Sequence, residues 1–588
     1  MTKSAICKSI ASAALVVALA QPAAALAQHK AQHRANPKAA TADIILTNAR
    51  VYTVDKRRPW AQSVAIKDGK ILAVGTVAQV ARTRGKATKV VDLGGKMLLP
   101  GFGDGHAHPQ FGGLTHARCP IVDGKTPDQY QAMIAACVAK KPGNGVVYGI
   151  GWAQTNFPDV TPRKETLDAI SRDRPIIFGS FDGHALWANS KALEIAGITK
   201  DTPDPVGGRI GRDPKTGEPN GALWEFSAMA LLDKQIPSPS PAELQDSIVY
   251  VVKHFNSLGI TNWHDAGVEY NDDGTSPMVE AYHAVHDRGA LNAHVAIDIK
   301  WKNERGLDQI PGILRTAARA KGYGLNAYSV KYYLDGVIPQ HTASMIEPYE
   351  GTNDRGKPAV TPETLTAAVV QLDAKGFQAH THSEGDGAVR ESLDAYAAAL
   401  KANGQLGHRH MISHMNVIDP ADQPRFGQLG VYAVFQPYWA SNYDDMDLQK
   451  KAIGPTRSQN IYPAANIVKA GGKLAYSSDW PVDSAYPLDG IQVALTRTNP
   501  SKPESGPLLA DQAVTLEEAI ASYTINVAEV NHIDKETGSI TPGKDADLVV
   551  LDRDIFTVPV NQIRDIKVVL TLFGGKPVYG GVGPLVAK

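Results

Sequence analysis

The 588-residue chain has no net charge, little cysteine and almost no long apolar runs. Lys and Arg number 60, as do Asp and Glu, so the formal net charge is zero. Without a basic excess, or a basic run with interleaved aromatics, the sequence does not predict nucleic-acid binding. It also lacks repeats and low-complexity tracts, which argues against an adhesive role. The composition predicts an ordinary globular protein whose partner is a small molecule.

The longest apolar run stands at the start of the chain. Residues 1–27 place Lys3 and Lys8 before an Ala-, Leu- and Val-rich stretch and end in the small-x-small triplet at Ala25 to Ala27. This pattern predicts a signal peptide cleaved after Ala27, and hence a periplasmic or secreted protein. The run is too short to span a bilayer, and no later stretch reaches about 18 apolar residues. No stable membrane anchor is therefore expected.

Only three cysteines are present, and cleavage of the signal would remove Cys7. Cys119 and Cys137 would then remain in an oxidising compartment, at a separation that suits a disulfide loop. We predict a bridge between them. Two reduced, buried cysteines are the alternative.

The two ends of the mature chain share a composition that differs from its middle. After a polar, Ala-rich leader at 28–42, residues 43–98 form short β-rich runs separated by Asp-Gly and Gly-Gly turns, and residues 541–588 repeat this style. We expect both ends to pair into one small satellite β-sandwich domain.

Between the ends, residues 99–540 alternate β-rich runs with helical stretches, the pattern of a parallel sheet with crossover helices. Eight such runs predict an α/β fold of the (β/α)8 barrel type. The first and second runs lie too far apart for one crossover helix. Residues of about 110–245 are therefore predicted to form an insertion with elements of its own.

A histidine pair closes the first barrel run, "GFGDGHAHP" at 101–109. Alternate side chains of a strand share a face, so His106 and His108 are placed to bind one ion together. A polar strand end without a ligand is the other interpretation of such a pair. Active sites of this barrel lie at the carboxyl ends of its strands. The pair is thus predicted to begin a site.

Later runs end in residues of matching chemistry. His382 ends the fifth, His414 the sixth and Asp479 the eighth, while Lys331 lies on the fourth. Four imidazoles and a carboxylate suit zinc or a similar divalent ion. A buried lysine beside cations is driven toward the neutral amine, which can take up carbon dioxide as a carbamate. Such a carbamate is able to bridge two metals.

Six stretches of the sequence resemble one family in the same order: "GFGDGHAHP", "SFDGHALWANSKAL", "VKYYLDGVIPQHTASMIEPY", "HTHSEGDGAV", "HRHMISHMNVI" and "SSDWPV". They are similar to the binuclear amidohydrolase superfamily, and within it to the YtcJ-like branch (amidohydrolase family 3) that includes N-substituted formamide deformylases. With the terminal β pieces, the resemblance covers nearly the whole mature chain. Each motif alone is weak, and the shared order makes the set specific.

The resemblance implies a role for each residue at the predicted site. His106, His108 and Asp479 would hold the more buried of two divalent metal ions, and His382 and His414 the second. Carboxylated Lys331 and a hydroxide would bridge the ions. Asp479 would act as the catalytic residue that takes the proton from the attacking hydroxide and returns it to the leaving amine.

Some further residues carry weaker signals. The resemblance implies that His184 contacts substrate, and Trp152 is a second candidate, although a tryptophan in such a run is also typical of a hydrophobic core. Glu225 fits a pocket residue and an amphipathic helix start equally well. The remaining inward candidates are expected to be supporting or structural: His264, His341, His380 and His410. Glu384 and Gly387 depart from the branch as we read it, so the substrate cannot be copied from one relative.

These observations leave three functional hypotheses. The first is an exported, metal-dependent hydrolase of a non-peptide C–N bond, with an amide, N-formyl or N-acyl amine as substrate. The second is a mononuclear deaminase-like hydrolase of a cyclic amidine or nucleobase-like compound. The third is a binding protein that kept the barrel without catalysis. For the oligomeric state, the sequence offers only the general preference of soluble enzymes for homodimers.

Overall fold

A computed structural model describes residues 40–122, 124–141, 143–181, 183–205, 208–443, 445–582 and 585–586. The predicted signal peptide and most of the predicted leader lie outside the described residues. Within this part of the chain, no helix is long and apolar enough to cross a membrane.

The central element is a sheet of eight strands in which each strand pairs in parallel with the next along the chain. The strands are β1 (Phe102–Ala107), β2 (Ile260–Val268), β3 (His294–Lys300), β4 (Asn326–Tyr333), β5 (Gln378–Ser383), β6 (Met411–His414), β7 (Tyr432–Phe435) and β8 (Lys473–Tyr476). Beyond the ends of β1 and β8, Asp479 N–H donates to His106 O at 2.9 Å and His108 N–H to Trp480 O at 2.8 Å. These bonds close the sheet, which confirms the predicted (β/α)8 barrel.

Helices cover the outside of the sheet or cap its base. The helix Pro241–Ser257 shows why they form. Ser240 and Glu243 make a capping box at the start of this helix, with Pro241 as its first residue. The buried residues of the helix recur at helical spacing. The others are Pro109–Arg118, Pro277–Asp287, Ile310–Gly322, Pro362–Asp373, Asp386–Asn403, Arg425–Leu429, Met446–Arg457, Ala464–Lys469, Pro487–Thr496, Leu516–Ser522 and Ile525–Val530.

The long insertion between β1 and β2 has a sheet of its own. Its five strands run in the spatial order Arg209–Arg212, Pro219–Trp224, Ala185–Ala188, Ile176–Ser180 and Val147–Trp152. Four helices accompany them: Pro127–Lys140, Lys164–Asp168, Ser190–Ala196 and Glu225–Asp233. Two separate apolar clusters are built on this sheet. Cys119 and Cys137 are joined by a disulfide, so the predicted bridge is present in the structure.

The satellite consists of two further sheets. One has the order Lys70–Gly75, Ser63–Lys67, Ile44–Thr47 and Lys89–Asp92. The short helix Val77–Ala81 contacts the first three of these strands. The other has the order Leu585–Val586, Lys576–Val582, Val568–Phe573, Leu548–Leu551, Met97–Pro100, Arg50–Tyr52 and Trp60–Ala61. Because Met97–Pro100 pairs antiparallel with Leu548–Leu551, the two ends of the chain build this domain together, as expected.

Candidate metal centre

The six residues predicted as metal ligands all lie at one end of the barrel. They sit on or just beyond the carboxyl ends of β1, β4, β5, β6 and β8: His106, His108, Lys331, His382, His414 and Asp479. We call this group the mouth cluster. All of its members except His108 are buried.

The backbone bends sharply where two of these side chains leave their strands. His414 has φ of 76° and Asp479 of 57°, both in the left-handed region that non-glycine residues seldom occupy. Such conformations cost about 1–3 kcal/mol each and gather at functional sites. The sequence carries no turn signal for either residue. The change in direction that these two side chains undergo at the ends of their strands could therefore not be predicted.

Asp479 is the centre of the first ligand group. Its Oδ1 atom lies 3.2 Å from His106 Nε2 and 3.1 Å from His108 Nε2. Nevertheless, this buried oxygen has no hydrogen-bond partner among the described residues, because neither ring presents an N–H along the required direction. A ligand atom of His414 lies within 4.8 Å of those of His106 and Asp479. Lone pairs that converge without hydrogen bonds fit a cation.

His382 and His414 form the second ligand group, with ring centroids 4.4 Å apart. His382 Nδ1 faces Asp335 Oδ1 at 3.1 Å, and His414 Nδ1 faces Gln436 Oε1 at 3.1 Å. Since these oxygens accept, each Nδ1 carries the hydrogen and each Nε2 keeps a lone pair. Orientation of a ligand histidine by an outer oxygen is typical of metal sites. Both rings are therefore prepared to bind a metal through Nε2.

Lys331 lies beside both groups and is fully buried. Its Nζ atom is 3.3 Å from His106 Nδ1 and 3.4 Å from His106 Nε2. Burial lowers the pKa of Lys331 to about 8, although the carboxylates of Asp298 and Asp479 oppose this shift. An appreciable fraction of neutral amine is thus present near neutral pH, as carbamate formation requires.

Electrostatics at the cluster favour neutral rings and an ionised carboxylate. Burial lowers the pKa of His106 and of His414 well below the usual range, with Lys331 contributing in both cases. Burial alone would raise the pKa of Asp479, but His108, His414 and Lys331 outweigh it and the pKa is lowered. Neutral imidazole and carboxylate are the forms that bind divalent metals.

Asp104 is a buried residue of the centre that sequence reasoning missed. Its Oδ1 atom accepts the backbone N–H groups of His106 and Ser478, both at 3.1 Å, and its Oδ2 accepts the Ser478 hydroxyl. This one carboxylate therefore ties β1 to the segment after β8. Its position two residues before the histidine pair is the only sequence signal that would have indicated it.

The insertion brings His184 to a loop of the barrel. His184 Nδ1 and Glu225 Oε2 are 3.0 Å apart, and Thr342, in the loop after β4, donates to Glu225 Oε1 at 3.5 Å. In the same region Ile338 N–H donates to Glu384 Oε2 at 3.0 Å. Burial, helped by Asp335, raises the pKa of Glu384 to about 8. Glu225 thus joins the insertion to the loop after β4, and Glu384 joins that loop to the end of β5.

Trp152 does not share this placement. Its side chain is fully buried in an apolar cluster of the insertion, and its Nε1–H donates to Phe178 O at 2.8 Å. Its ring packs edge-on against Trp187 and Trp224. Trp152 therefore lies in the core of the insertion, and its contact with substrate stays a prediction.

A (β/α)8 barrel with these ligands at its carboxyl end defines the class of metal-dependent hydrolases. The amidohydrolase family model matches residues 89–579, and the chain belongs to that family. It is a hydrolase that acts on carbon–nitrogen bonds other than peptide bonds.

Named relatives span nearly the whole chain. Protein LONG AFTER FAR-RED 3 of Arabidopsis thaliana is 30% identical, with 92% of each chain covered. YtcJ of Bacillus subtilis is 27% identical, covering 90% of this chain and 98% of its own. N-substituted formamide deformylase of Arthrobacter pascens is 26% identical, covering 92% and 99%. The resemblance to this branch is thereby confirmed.

A solved structure supports the fold. A metal-dependent hydrolase of Pyrococcus horikoshii, uncharacterised in function, superposes with a TM-score of 0.67 at 21% identity. The match covers 88% of this chain and 99% of that one.

Proposed function

We propose that this chain is an exported, binuclear amidohydrolase that cleaves an N-formyl or N-acyl amine. The observation that carries the proposal is the position of Lys331: a fully buried amine 3.3 Å from the Nδ1 atom of His106, a residue of the first ligand group. A mononuclear site has no use for a lysine there, whereas a bridged pair of ions requires an anionic group at that point.

Lys331 becomes such a group by carboxylation. The neutral amine forms a nitrogen–carbon bond to carbon dioxide, a proton is released, and the product is a carbamate with two oxygen ligands. His106, His108 and Asp479 would hold one divalent ion, zinc in our proposal, and His382 and His414 the other. Bound there, the pair supplies Lewis-acid polarisation of the substrate carbonyl and lowers the pKa of water toward neutrality.

In this proposal, Asp479 transfers the proton from the attacking oxygen to the leaving nitrogen. Its Oδ1 atom is buried and without a hydrogen-bond partner among the described residues, and its lowered pKa keeps the carboxylate ionised before reaction. It accepts the proton of the attacking water and returns it to the leaving nitrogen, so that an amine departs. Such general acid–base transfer contributes about 10²–10⁴-fold to the rate.

The insertion supplies the substrate side of the proposed site. His184, held by Glu225, would contact the substrate opposite the mouth cluster, and Glu384 would make this side of the site polar. The reactive chemistry therefore belongs to the barrel, and substrate choice belongs to the insertion and the loops after β4 and β5.

Export is a proposal from the first 27 residues alone. Expression of the full chain followed by fractionation and intact-mass measurement would test it. A periplasmic or secreted product beginning at Gln28 supports export, and an uncleaved cytoplasmic chain contradicts it. Size measurement of the same product tests the expected homodimer.

The activity is tested with purified chain loaded with zinc in bicarbonate buffer and offered N-formyl amines, N-acyl amines, cyclic amidines and nucleobases. Release of a primary amine from the first two classes is expected. Release of ammonia from the last two would favour a deaminase, and full metal occupancy without any turnover would favour a binding protein.

A further inference from the structure

A column of buried polar side chains runs from His106 into the barrel, away from the mouth. Its main members, His264 on β2, Asp298 on β3 and His380 on β5, have 0% exposure. His380 Nδ1 is 2.6 Å from Asp298 Oδ2, and His264 Nε2 is 2.9 Å from Asp298 Oδ1. A buried polar network of this size is costly unless every member is satisfied, so its arrangement calls for a physical account.

The lower end of the column is fixed by a backbone group. Asn262 Nδ2 donates to the carbonyl of Phe102 at 3.3 Å, which turns Asn262 Oδ1 toward Asn531 Nδ2 at 3.4 Å. Asn531 Oδ1 then faces His264 Nδ1 at 2.7 Å. A backbone carbonyl only accepts, so each step has one direction, and His264 must donate from Nδ1.

Asp298 sets the direction in the middle. Its two oxygens accept from His264 Nε2 and from His380 Nδ1. His264, which donates from both ring nitrogens, is therefore the imidazolium. His380 carries a hydrogen on Nδ1 and turns Nε2 toward the mouth. There, His380 Nε2 is hydrogen-bonded to Ser413 Oγ and lies 3.1 Å from His106 Nδ1. The same hydroxyl is 2.8 Å from His106 Nδ1. Ser413 therefore donates to His380 and accepts from His106.

We infer that Asp298 and His380 are positioning residues, which hold the His106 ring so that Nδ1 donates into the column and Nε2 faces Asp479. The inference rests on the proposed function, since it concerns the same site. Nothing in the motif around His106 states this: the ring is oriented by strands β3 and β5 rather than by its own strand. The His106 ring then presents Nε2 to Asp479 Oδ1 at 3.2 Å and to the Lys331 amine at 3.4 Å, on the side of the ring where the candidate ligands converge.

The column predicts a graded response to substitution. Asp298→Asn keeps the shape but presents an amide N–H to one of the two rings, so that this ring no longer finds an acceptor at position 298. Ser413→Ala removes one hydroxyl, yet His106 Nδ1 still finds His380 Nε2 at 3.1 Å. Asp298→Asn should therefore weaken metal binding by about 10–100-fold, the usual effect of losing an outer hydrogen-bond partner, and Ser413→Ala by much less.

The test measures zinc affinity of the full chain by competition with a chromophoric chelator, without substrate. Cobalt-loaded protein gives a second readout, because its visible absorption bands shift when a ligand ring turns. Ser329→Ala is the matched control: Ser329 is buried on β4, and its Oγ has no hydrogen-bond partner among the described residues. His380→Gln provides a second variant in case Asp298→Asn does not fold.

The expected result is weaker zinc binding and altered cobalt bands in Asp298→Asn and His380→Gln, with Ser329→Ala like the wild type. If either folded column variant binds zinc as tightly as the wild type with unchanged bands, the inference is wrong although the proposed function stands. If the wild type binds no metal, the proposed function itself fails.

Discussion

Two groups of two histidines and one aspartate lie at opposite ends of the barrel. In the mouth cluster, His106, His414 and Asp479 bring their ligand atoms within 4.8 Å of one another. Asp373, His408 and His410 do the same where β5 and β6 begin, and we call them the base cluster. Residue types and spacing alone would make both of them metal sites.

The two clusters differ in the hydrogen bonds that their side chains make. In the base cluster, His410 Nδ1 accepts the N–H of Ala379 at 3.0 Å, so the hydrogen of this ring is on Nε2, which faces Asp373 Oδ1 at 3.3 Å. Asn403 Nδ2 donates to Asp373 Oδ2 at 2.7 Å, and His408 is also bonded to Oδ1. No comparable bond reaches Asp479 Oδ1 from the described residues. The candidate metal site is thus distinguished by carboxylate lone pairs that accept no hydrogen bond, and not by its residue types.

The largest difference is expected in catalysis. Asp479→Asn should lower kcat by about 10²–10⁴-fold, because the amide cannot carry the transferred proton. Asp373→Asn, the matched change in the base cluster, should leave kcat and metal content unchanged. Steady-state release of amine, with metal analysis of both variants, makes the measurement. Equal losses of kcat in the two variants would remove the distinction between the clusters.

The base cluster should matter for stability instead. Asp373→Asn is expected to cost about 3 kcal/mol at neutral pH, since it removes the carboxylate that accepts from the partly buried His408 and His410, and each bond to a charged group contributes about 1.5 kcal/mol or more. Burial alone would raise the pKa of Asp373, but bonds from the two histidines and Asn403 lower it. The contribution is therefore fully present above the unfolded pKa of about 3.9 and is lost as pH falls through the lower, folded value.

Denaturant unfolding of the wild type and Asp373→Asn at several pH values checks this dependence. The difference in unfolding free energy should shrink in acid. A difference that stays constant down to the acid unfolding limit would show that the Asp373 carboxylate is not its source.

Removal of the disulfide should destabilise the chain while both clusters stay intact. Its 18-residue separation corresponds to about 3 kcal/mol of stabilisation in the chain-entropy account. Cys137→Ser should lower the unfolding free energy by about that amount, while zinc content stays at the wild-type level. A thiol assay of the denatured mature wild type should find no free thiol, and two would contradict the bridge.

The smallest effect concerns the contact between insertion and barrel. His184→Gln should raise KM by about tenfold, roughly one hydrogen bond, with little change in kcat. Glu225→Gln should have a smaller effect of the same kind, because it acts through His184. A fall in kcat at unchanged KM would instead place His184 in the chemical step.

Much of the architecture was predictable because it follows from periodicity. Alternating strands and helices define the barrel, and polar residues at strand ends mark its mouth. The oxygens that orient His382 and His414 were not predictable. Asp335 and Gln436 lie just beyond strands β4 and β7, remote in sequence from the rings they serve, and only the closed sheet brings them together.

The burial of Trp152 within the insertion was not predictable for a related physical reason. A strand end in the insertion looks the same in sequence as a strand end at the mouth, but the insertion has its own sheet and core. The positive φ of Asp479 was equally hidden, because it is imposed by the closure of β8 onto β1 and not by a local turn residue.

Metal stoichiometry tests the central claim most directly. The mature protein, prepared with zinc and bicarbonate, is compared with Lys331→Ala by elemental analysis. The account predicts two metal ions per wild-type chain and a sharp loss in the variant, with short-chain acids such as acetate restoring part of it by replacing the carbamate. One metal ion in both proteins would contradict a lysine-bridged pair.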